Sequence, residues 1–258
     1  MSSSHPSLRS RLHNGEYVSG IWLMTPSLEF AEMVRVAELD FVVIDMEHGL
    51  HSLDTVLAQL RVVQGGSTAA IVRIPNHDVS LVARVLDRGA GGIMVPKVPN
   101  AEVARQVAQA ARFPPFGERG LALRALRASQ YGANASYREE SDNSALMIVQ
   151  IESAEAVDNA EAICGVPGID MAFIGPADLS ANLRLEGPEN AEAFAQVVES
   201  TAKRVRTAGA LFGMMPVGNC TAERMKAVEA QLMVVGSDIG IMSSGLAAHV
   251  RQHGTQGY

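Results

Sequence analysis

Short apolar runs rich in β-branched residues alternate with longer stretches of helical periodicity along most of the chain. A run that is apolar throughout is typical of a parallel strand with both of its faces covered. The runs predict strands at residues 20–24, 41–45, 69–74, 92–96, 146–152, 171–175, 211–216 and 232–236. The periodic stretches predict helices at residues 27–39, 53–63, 79–87, 101–112, 154–163, 191–208 and 221–229.

Eight strand–helix units in 258 residues predict an α/β fold, a (β/α)₈ TIM barrel, as a single domain spanning 1–258. The main competing fold is a doubly wound open sheet, but no GxGxxG motif follows the first strand. One long irregular stretch, 113–144, separates the fourth and fifth strands. Because loops of that length are usually functional, we expect an excursion at the active site or at a subunit contact.

Composition narrows the functional classes further. The formal net charge of −7 argues against a nucleic-acid or anionic-membrane partner, which would favour a basic surface. Apolar residues make up 47% of the chain, yet no uncharged run is long enough to span a bilayer, and the first residues lack the apolar segment of a signal peptide. Cys164 and Cys220 lie far apart, without metal or redox spacing. These features predict a cytoplasmic protein.

Carboxylates and other polar side chains stand where several predicted strands end. The second strand runs into Asp45, Glu47 and His48, and the others carry the residues Arg73, Gln150, Glu152 and Asp178. The carboxyl ends of barrel strands meet at one rim, where catalysis takes place. The sequence therefore predicts that these residues share one mouth.

Glu152 and Asp178 follow neighbouring strands and offer the oxygen ligands that Mg²⁺ and Mn²⁺ prefer. Each acid alone could instead cap the helix that follows it. Arg73 ends an otherwise apolar strand, so its guanidinium needs an anionic partner. That partner is either a substrate carboxylate or enolate, or an internal carboxylate, Asp45 or Glu47.

His48 lies just beyond the second strand and is a candidate general base, or else a hydrogen-bonded loop histidine. We interpret His51 and His77 as polar loop residues. A divalent metal, an arginine and a histidine base together suit enolate chemistry on a 2-oxoacid, because the metal can chelate the carboxylate and ketone oxygens while Arg73 shares the developing charge.

Several motifs resemble one known family over nearly the whole chain. They are Ile44-Asp-Met-Glu-His-Gly49, Ile71-Val-Arg-Ile-Pro75, Leu86-Asp-Arg-Gly89, Met94-Val-Pro96, Phe113-Pro-Pro-Phe-Gly-Glu-Arg-Gly120, Val149-Gln-Ile-Glu152 and Phe173-Ile-Gly-Pro-Ala-Asp-Leu-Ser180. Together they resemble the HpcH/HpaI aldolase family of class II, metal-dependent pyruvate aldolases, which includes 2-keto-3-deoxyglucarate and 4-hydroxy-2-oxoheptanedioate aldolases.

The resemblance implies a role for each matching residue. Glu152 and Asp178 would bind Mg²⁺ or Mn²⁺, with Co²⁺ as a substitute, and His48 would accept a proton. Arg73 would stabilise the enolate, and Asp45 would order the water around the metal. The substrate would contact Gln150 and the backbone of Ala177 and Asp178. Trp22 and Met215 are candidates for the aldehyde pocket.

The resemblance also implies a homo-oligomer, typically a hexamer, and an aspartate that raises the basicity of the histidine. Asp87 occupies that aspartate's position. It ends a helix that runs from the catalytic rim back toward the opposite rim, about 13 Å away at 1.5 Å per residue. We therefore expect Asp87 to reach His48 only in a neighbouring subunit. The alternative is a helix-terminal ion pair with Arg84 or Arg88.

The predicted function is cleavage of a 4-hydroxy-2-oxoacid to pyruvate and an aldehyde, and the reverse aldol addition. A CoA-ester lyase or an oxaloacetate decarboxylase would use the same enolate chemistry. Lys97 departs from the apolar residue expected at the fourth strand's end, and a rim lysine could form the Schiff base of a class I aldolase. A non-catalytic oxoacid-binding protein is the remaining alternative.

Overall fold

The computed structural model describes residues 6–254. It contains eight parallel strands that pair in sequence order and close when β8 pairs with β1. The strands are β1 (Val18–Leu23), β2 (Phe41–Asp45), β3 (Ala69–Arg73), β4 (Gly92–Val95), β5 (Leu146–Ile151), β6 (Met171–Ile174), β7 (Leu211–Met214) and β8 (Leu232–Ser237). The predicted (β/α)₈ barrel is confirmed.

Helices connect the strands on the outside of the barrel. They are α1 (Leu8–His13), α2 (Leu28–Val36), α3 (Leu53–Val63), α4 (Val79–Asp87), α5 (Ala101–Ala111), α6 (Tyr137–Ser144), α7 (Ala154–Asp158), α8 (Ala160–Cys164), α9 (Pro176–Leu183), α10 (Ala191–Thr207), α11 (Ala222–Ala227) and α12 (Asp238–His253). Short 3₁₀ helices lie at Leu123–Ala125 and Pro188–Asn190. None of the described helices is long and apolar enough to cross a membrane.

The predicted helix 154–163 is two helices, α7 and α8, that meet at Asn159. The excursion 113–144 is less irregular than its sequence pattern predicts, because it contains a 3₁₀ helix and α6. The polar sequence of α6, Tyr-Arg-Glu-Glu-Ser-Asp-Asn-Ser, has no apolar stripe that would reveal a helix.

Two apolar layers hold the barrel together. The larger lies between the strands and the surrounding helices. The smaller fills the barrel interior with residues such as Phe41, Ile71 and Phe173, and includes Leu8 and Leu12 of α1. At the top of this interior layer Trp22 meets Phe173 edge to face, with ring centroids 6.1 Å apart. This filled interior forms the floor beneath the carboxyl ends of the strands.

The terminal helix α12 is packed differently from the others. Asp238, its first residue, is its only buried one. Ile239, Met242, Leu246 and Val250 repeat at helical spacing, and all four are exposed, Leu246 to 68%. The face that a helix normally turns toward its own core is therefore uncovered along most of α12.

Close approach of β1 and β2 requires a glycine at position 20. A methyl group on Gly20 would stand 2.2 Å from the Phe41 carbonyl oxygen. We expect Gly20→Ala to lower the free energy of unfolding by about 2–3 kcal/mol, the usual scale of overpacking, in a urea titration. Gly245→Ala is the matched control, since Gly245 lies in α12 and a methyl group added there would meet open space. Equal stability of the two variants would contradict this account.

Candidate active site

A bidentate ion pair anchors the carboxyl rim of the barrel. Asp45 and Arg73 are register partners at the ends of β2 and β3. Arg73 donates from Nε to Asp45 Oδ1 at 2.8 Å and from Nη2 to Oδ2 at 2.7 Å. Its guanidinium carbon also lies 4.3 Å from the centroid of the Trp22 ring. Of the two predicted partners for Arg73, the structure shows the internal carboxylate.

The contacts of Asp45 use all of its acceptor positions. Besides Arg73, it accepts the backbone N–H of Glu47 at 2.9 Å and that of His48 at 3.4 Å. Burial favours the neutral carboxyl, but the hydrogen bonds and charge of Arg73 outweigh it and hold the pKa of Asp45 below its usual value. A carboxylate has about four lone-pair positions, and four donors fill them. Little capacity is left to order water around a metal.

Glu47 was expected only as an alternative partner for Arg73, but it makes further contacts at the rim. Its side chain is only 5% exposed, although it lies at the rim. Its oxygens are 2.9 Å from Lys97 Nζ, 3.3 Å from Arg73 Nη1 and 3.9 Å from His48 Nε2. The sequence signal was its place between Asp45 and His48, on a turn that the Asp45 carboxylate caps. Glu47 therefore links the two rim cations to the histidine.

Glu152 follows β5 and is buried. Its Oε2 accepts the backbone N–H of Lys97 at 3.1 Å, whereas the buried Oε1 has no hydrogen-bond partner among the described residues. Gly175 makes room for that oxygen, because a methyl group there would be 2.2 Å from Oε1. Burial, with the charges of Glu47 and Asp178, raises the pKa of Glu152 to about 7.

The donor chemistry around Glu152 fits a hard divalent cation. An unpartnered buried carboxylate oxygen is costly unless a cation or a donor meets it. Asp178 lies in the first turn of α9, near enough for its charge to act on Glu152. Within residues 6–254, no three His, Cys, Asp or Glu side chains converge as a metal-binding group. The chain would thus offer two carboxylates and leave other coordination positions open, as Mg²⁺ sites commonly do.

Gln150 and the start of α9 complete this side of the mouth. Gln150 is fully buried on β5, and neither its amide oxygen nor its amide nitrogen has a partner in the described chain. Helix α9 begins after Gly175 without a side-chain cap, and its first turn includes Ala177. Free N–H groups at a helix start attract anions. The two features together suit a bound carboxylate.

The histidines of the β2 loop differ in their contacts. The His48 side chain is 55% exposed, and among the ionisable groups of residues 6–254 it approaches only Glu47, at 3.9 Å. The His51 ring instead bridges the Asp45 carbonyl oxygen and Gln59 Oε1, both at 2.9 Å. Gln59 is fully buried and donates to the carbonyl oxygens of Thr25 and Ser27. His51 is therefore a structural brace between the first and second loops, a role that its sequence context did not reveal.

Asp87 is not brought to this mouth within one chain. It ends α4, and its Oδ1 accepts hydrogen bonds from Arg119 Nε at 2.9 Å and Nη2 at 2.8 Å. Arg119 is completely buried, with its guanidinium carbon 4.5 Å from the Phe113 ring centroid. The predicted alternative of an ion pair with Arg84 or Arg88 was wrong, because the excursion 113–144 supplies the partner.

The mouth is less polar on the side of β7, β8 and β1. A cavity of about 300 Å³ opens there, lined by Trp22, Met24, Arg73, Met215, Ser237 and Ile239. Arg73 belongs to both halves, since it faces Glu47 as well as the Trp22 ring. The site thus joins an acidic half, able to hold a cation and an anion, to a mainly apolar shelf.

A profile of the HpcH/HpaI aldolase/citrate lyase family matches residues 18–244. The chain belongs to this family. The 2-keto-3-deoxy-L-rhamnonate aldolase of Shigella sonnei (strain Ss046) is 36% identical to it over 240 residues, which cover 92% of this chain and 89% of that protein. The predicted family is confirmed, as is the predicted enzyme class, because an aldolase is a carbon–carbon lyase.

Solved structures agree with this assignment. A HpcH/HpaI aldolase/citrate lyase family protein from Burkholderia cenocepacia J2315 is 30% identical, with a TM-score of 0.88 over 95% of this chain and 98% of its own. The citrate synthase SbnG is 28% identical, with a TM-score of 0.85 over 96% of this chain and 97% of its own. The barrel and its order of elements are therefore shared across most of the chain's length.

The raised pKa of Glu152 predicts an unusual pH dependence in the metal-free protein. Between pH 4.5, the ordinary value for the carboxyl, and about 7, the folded state keeps a proton that the unfolded state has lost. The free energy of unfolding should therefore fall as the pH rises through this window, by about 3 kcal/mol at most from this group. Urea unfolding of the protein after EDTA dialysis measures it.

The matched variant is Glu152→Gln, which mimics the protonated carboxyl at every pH. Its advantage in stability over the parent protein should be small near pH 5 and should grow toward pH 8. Parallel stability curves for the two proteins from pH 5 to 8 would show that Glu152 ionises normally, and would contradict the desolvated carboxylate described above.

Proposed function

We propose that the protein is a divalent-metal-dependent aldolase that cleaves a 4-hydroxy-2-oxoacid to pyruvate and an aldehyde, and catalyses the reverse addition. The observation that carries the proposal is the buried, unpartnered oxygen of Glu152 beside Asp178 and the unpartnered amide of Gln150. The Glu152 oxygen would be satisfied by a cation, and the Gln150 amide by a polar ligand. An oxoacid bound through its carboxylate and ketone oxygens is such a ligand.

Glu152 and Asp178 are the residues that would hold Mg²⁺ or Mn²⁺, with Co²⁺ as a substitute. When bound, the cation would stabilise negative charge on the oxoacid's oxygens. The Gln150 amide and the first-turn N–H groups around Ala177 and Asp178 would receive the substrate carboxylate and fix its orientation.

His48 is the proposed base, which takes the C4 hydroxyl proton directly or through one water when the C3–C4 bond breaks and the aldehyde forms. The enolate is then protonated at C3 to give pyruvate. Its exposed ring can reach a substrate in the open mouth. Arg73 is oriented by Asp45 and supplies positive charge next to the enolate. Because four donors occupy Asp45, we assign it the task of positioning Arg73 and the His48 turn rather than holding water.

The apolar shelf is the proposed site for the aldehyde part of the substrate. Trp22, Met24, Met215 and Ile239 would contact a short carbon chain there, while Arg73 would stay close to the bond that breaks. The similar aldolase from Shigella sonnei is named for the substrate 2-keto-3-deoxy-L-rhamnonate. We propose a related 4-hydroxy-2-oxoacid with a small aldehyde portion for this chain.

Metal dependence and the absence of a Schiff base test this function together. Removal of metal with EDTA should abolish pyruvate release from a 4-hydroxy-2-oxoacid, and Mg²⁺, Mn²⁺ or Co²⁺ should restore it. Borohydride added with pyruvate should leave the activity intact, since no imine forms at Lys97. Pyruvate is measured with a coupled dehydrogenase assay, and borohydride without pyruvate serves as the control.

Two results would contradict the proposal. Full activity after EDTA treatment with inactivation by borohydride would identify a class I aldolase. No turnover of any oxoacid and aldehyde pair in the presence of Mn²⁺ would favour the non-catalytic oxoacid-binding protein.

The proposed assembly is a homo-oligomer, with a hexamer as the expectation from the family resemblance. The apolar face of α12 supports association, because Leu246 and Val250 are more than half exposed. Asp87 supports a shared site. Arg119 binds its Oδ1 only, so Oδ2 is left without a donor among residues 6–254 and the side chain stays 26% exposed. Asp87 would orient His48 of the neighbouring subunit.

Mixing two inactive variants tests the shared site. His48→Ala should reduce cleavage by about 10²–10⁴-fold, the usual size of a general-base contribution. Asp87→Ala should also impair it. Denaturing the two variants together and refolding them should restore activity, because about one quarter of randomly assembled sites would combine an intact His48 with an intact Asp87.

The control mixture combines His48→Ala with Glu152→Ala. Both of those residues belong to one chain's mouth, so mixed oligomers should stay inactive. Failure of the His48→Ala and Asp87→Ala mixture to recover activity, in oligomers shown by mass spectrometry to be mixed, would remove Asp87 from the site.

A further inference from the structure

Lys97 is the feature of the mouth that the proposed reaction does not use. It follows β4 with a left-handed backbone, φ 54°, and its N–H binds Glu152 Oε2. Its side chain is 60% exposed, yet the ammonium lies 2.9 Å from Glu47 Oε1. A left-handed backbone is uncommon in a residue other than glycine, although five other such residues of the described chain adopt it as well.

The charges around Lys97 do not cancel within the described site. Arg73 is already paired with Asp45 through two hydrogen bonds. Glu47, Glu152 and Asp178 remain, and Lys97 is the cation nearest to Glu47. The pKa of Lys97 is raised, first by its contact with Glu47 and then by the charges of Asp178 and Glu152. The ammonium is thus held in the field of Glu47 and of the two carboxylates, Glu152 and Asp178, that would hold the cation.

Glu47 is poorly restrained apart from Lys97. Arg73 reaches it only through Nη1 at 3.3 Å, because the other two guanidinium contacts go to Asp45. The carboxylate is 5% exposed, and its charge is felt by Glu152. Glu47 does not converge with Glu152 and Asp178 among the described residues. Released from Lys97, however, it could become a third ligand for a divalent cation, since such sites gain affinity with each added charge.

We propose that Lys97 holds Glu47 out of the metal's coordination sphere, so that Glu152 and Asp178 remain the only carboxylate ligands. The remaining coordination positions are then free for the two oxygens of the oxoacid. Lys97 is a positioning residue in this arrangement, and its ammonium limits metal affinity in favour of substrate binding. The inference rests on the proposed metal-dependent function, but it concerns metal binding, which is measurable without turnover.

The test compares Lys97→Met with the double variant Glu47→Gln/Lys97→Met and with Lys97→Arg. Free Mn²⁺ is measured by electron paramagnetic resonance in a titration of each metal-free protein, without substrate. We expect Lys97→Met to bind Mn²⁺ about tenfold more tightly, because a third carboxylate joins the site. The double variant should return to the parent affinity, and Lys97→Arg, which keeps the charge, should match the parent.

Bound water gives an independent readout. If Glu47 replaces a water on the metal, Mn²⁺ in Lys97→Met should enhance the relaxation of water protons less than in the parent protein. The KM for pyruvate in aldol addition should rise in the same variant, since a coordination position is lost, and the double variant should restore both values.

Three results would overturn the inference. Mn²⁺ affinity in Lys97→Met within twofold of the parent's would show that Lys97 does not restrain Glu47. Tighter Mn²⁺ binding with unchanged water relaxation would show that Lys97 acts on the metal only through its charge and does not hold Glu47 back. Borohydride trapping of pyruvate on Lys97 would assign it to Schiff-base chemistry. If instead Mn²⁺ binding changes as expected but no aldol reaction is found, the inference stands and the proposed function fails.

Discussion

The bidentate contact between Asp45 and Arg73 is the interaction on which the rest of the site depends. Both groups are buried at the end of adjacent strands, where an unpaired charge would be strongly destabilising. By pairing with Asp45, Arg73 is held over the ring of Trp22, at the top of the barrel interior. The same carboxylate caps the turn that carries Glu47 and His48. One ion pair thus fixes an arginine, a second carboxylate and the candidate base relative to the barrel.

The opposite half of the mouth is arranged on a different principle, because its polar groups are left without partners. Glu152 and Gln150 are buried beside Asp178 with hydrogen-bonding capacity unused in the described chain. Leaving such groups unsatisfied costs about 1–3 kcal/mol each, more for a charged group, so they mark a place where a ligand completes the structure. Gly175 permits this arrangement, since any larger residue would displace the Glu152 carboxylate.

The sequence predicted the barrel and its rim well, for identifiable physical reasons. Strands covered on both faces read as unbroken apolar runs, and the parallel order of a barrel brings their carboxyl ends together. The sequence alone therefore predicted that four residues lie at this rim: Arg73, Glu152, Asp178 and His48. Helix α12 was not predicted, because Gly240 and the Ser243-Ser244-Gly245 run weaken the helical signal between its apolar residues.

Contacts between distant segments were the part that the sequence concealed. The pairing of Asp87 with Arg119 joins α4 to the excursion 113–144, and the brace from His51 to Gln59 joins the β2 loop to α3. No local pattern encodes either contact, because each depends on how two segments pack. The choice between Asp45 and a substrate as the partner of Arg73 was open for the same reason, since a guanidinium satisfies its need for an anion equally well either way.

Two kinds of feature lack partners in a single chain, and both lie away from the metal side of the mouth. They are an exposed apolar face and polar side chains with incomplete contacts. The apolar face of α12 is exposed. Asp87 keeps one carboxylate oxygen without a donor in the described part of the chain, although Arg119 holds its other oxygen from a fully buried position. Immobilising an arginine costs side-chain entropy, and Arg119 incurs that cost in holding Asp87 in one place. A carboxylate fixed in this way is consistent with the shared site proposed above. His48 has the complementary deficiency, an exposed ring with only Glu47 nearby at 3.9 Å. An aspartate with one carboxylate oxygen left unpaired and an exposed histidine without a hydrogen-bonded carboxylate are what a site divided between subunits would show in one of its chains.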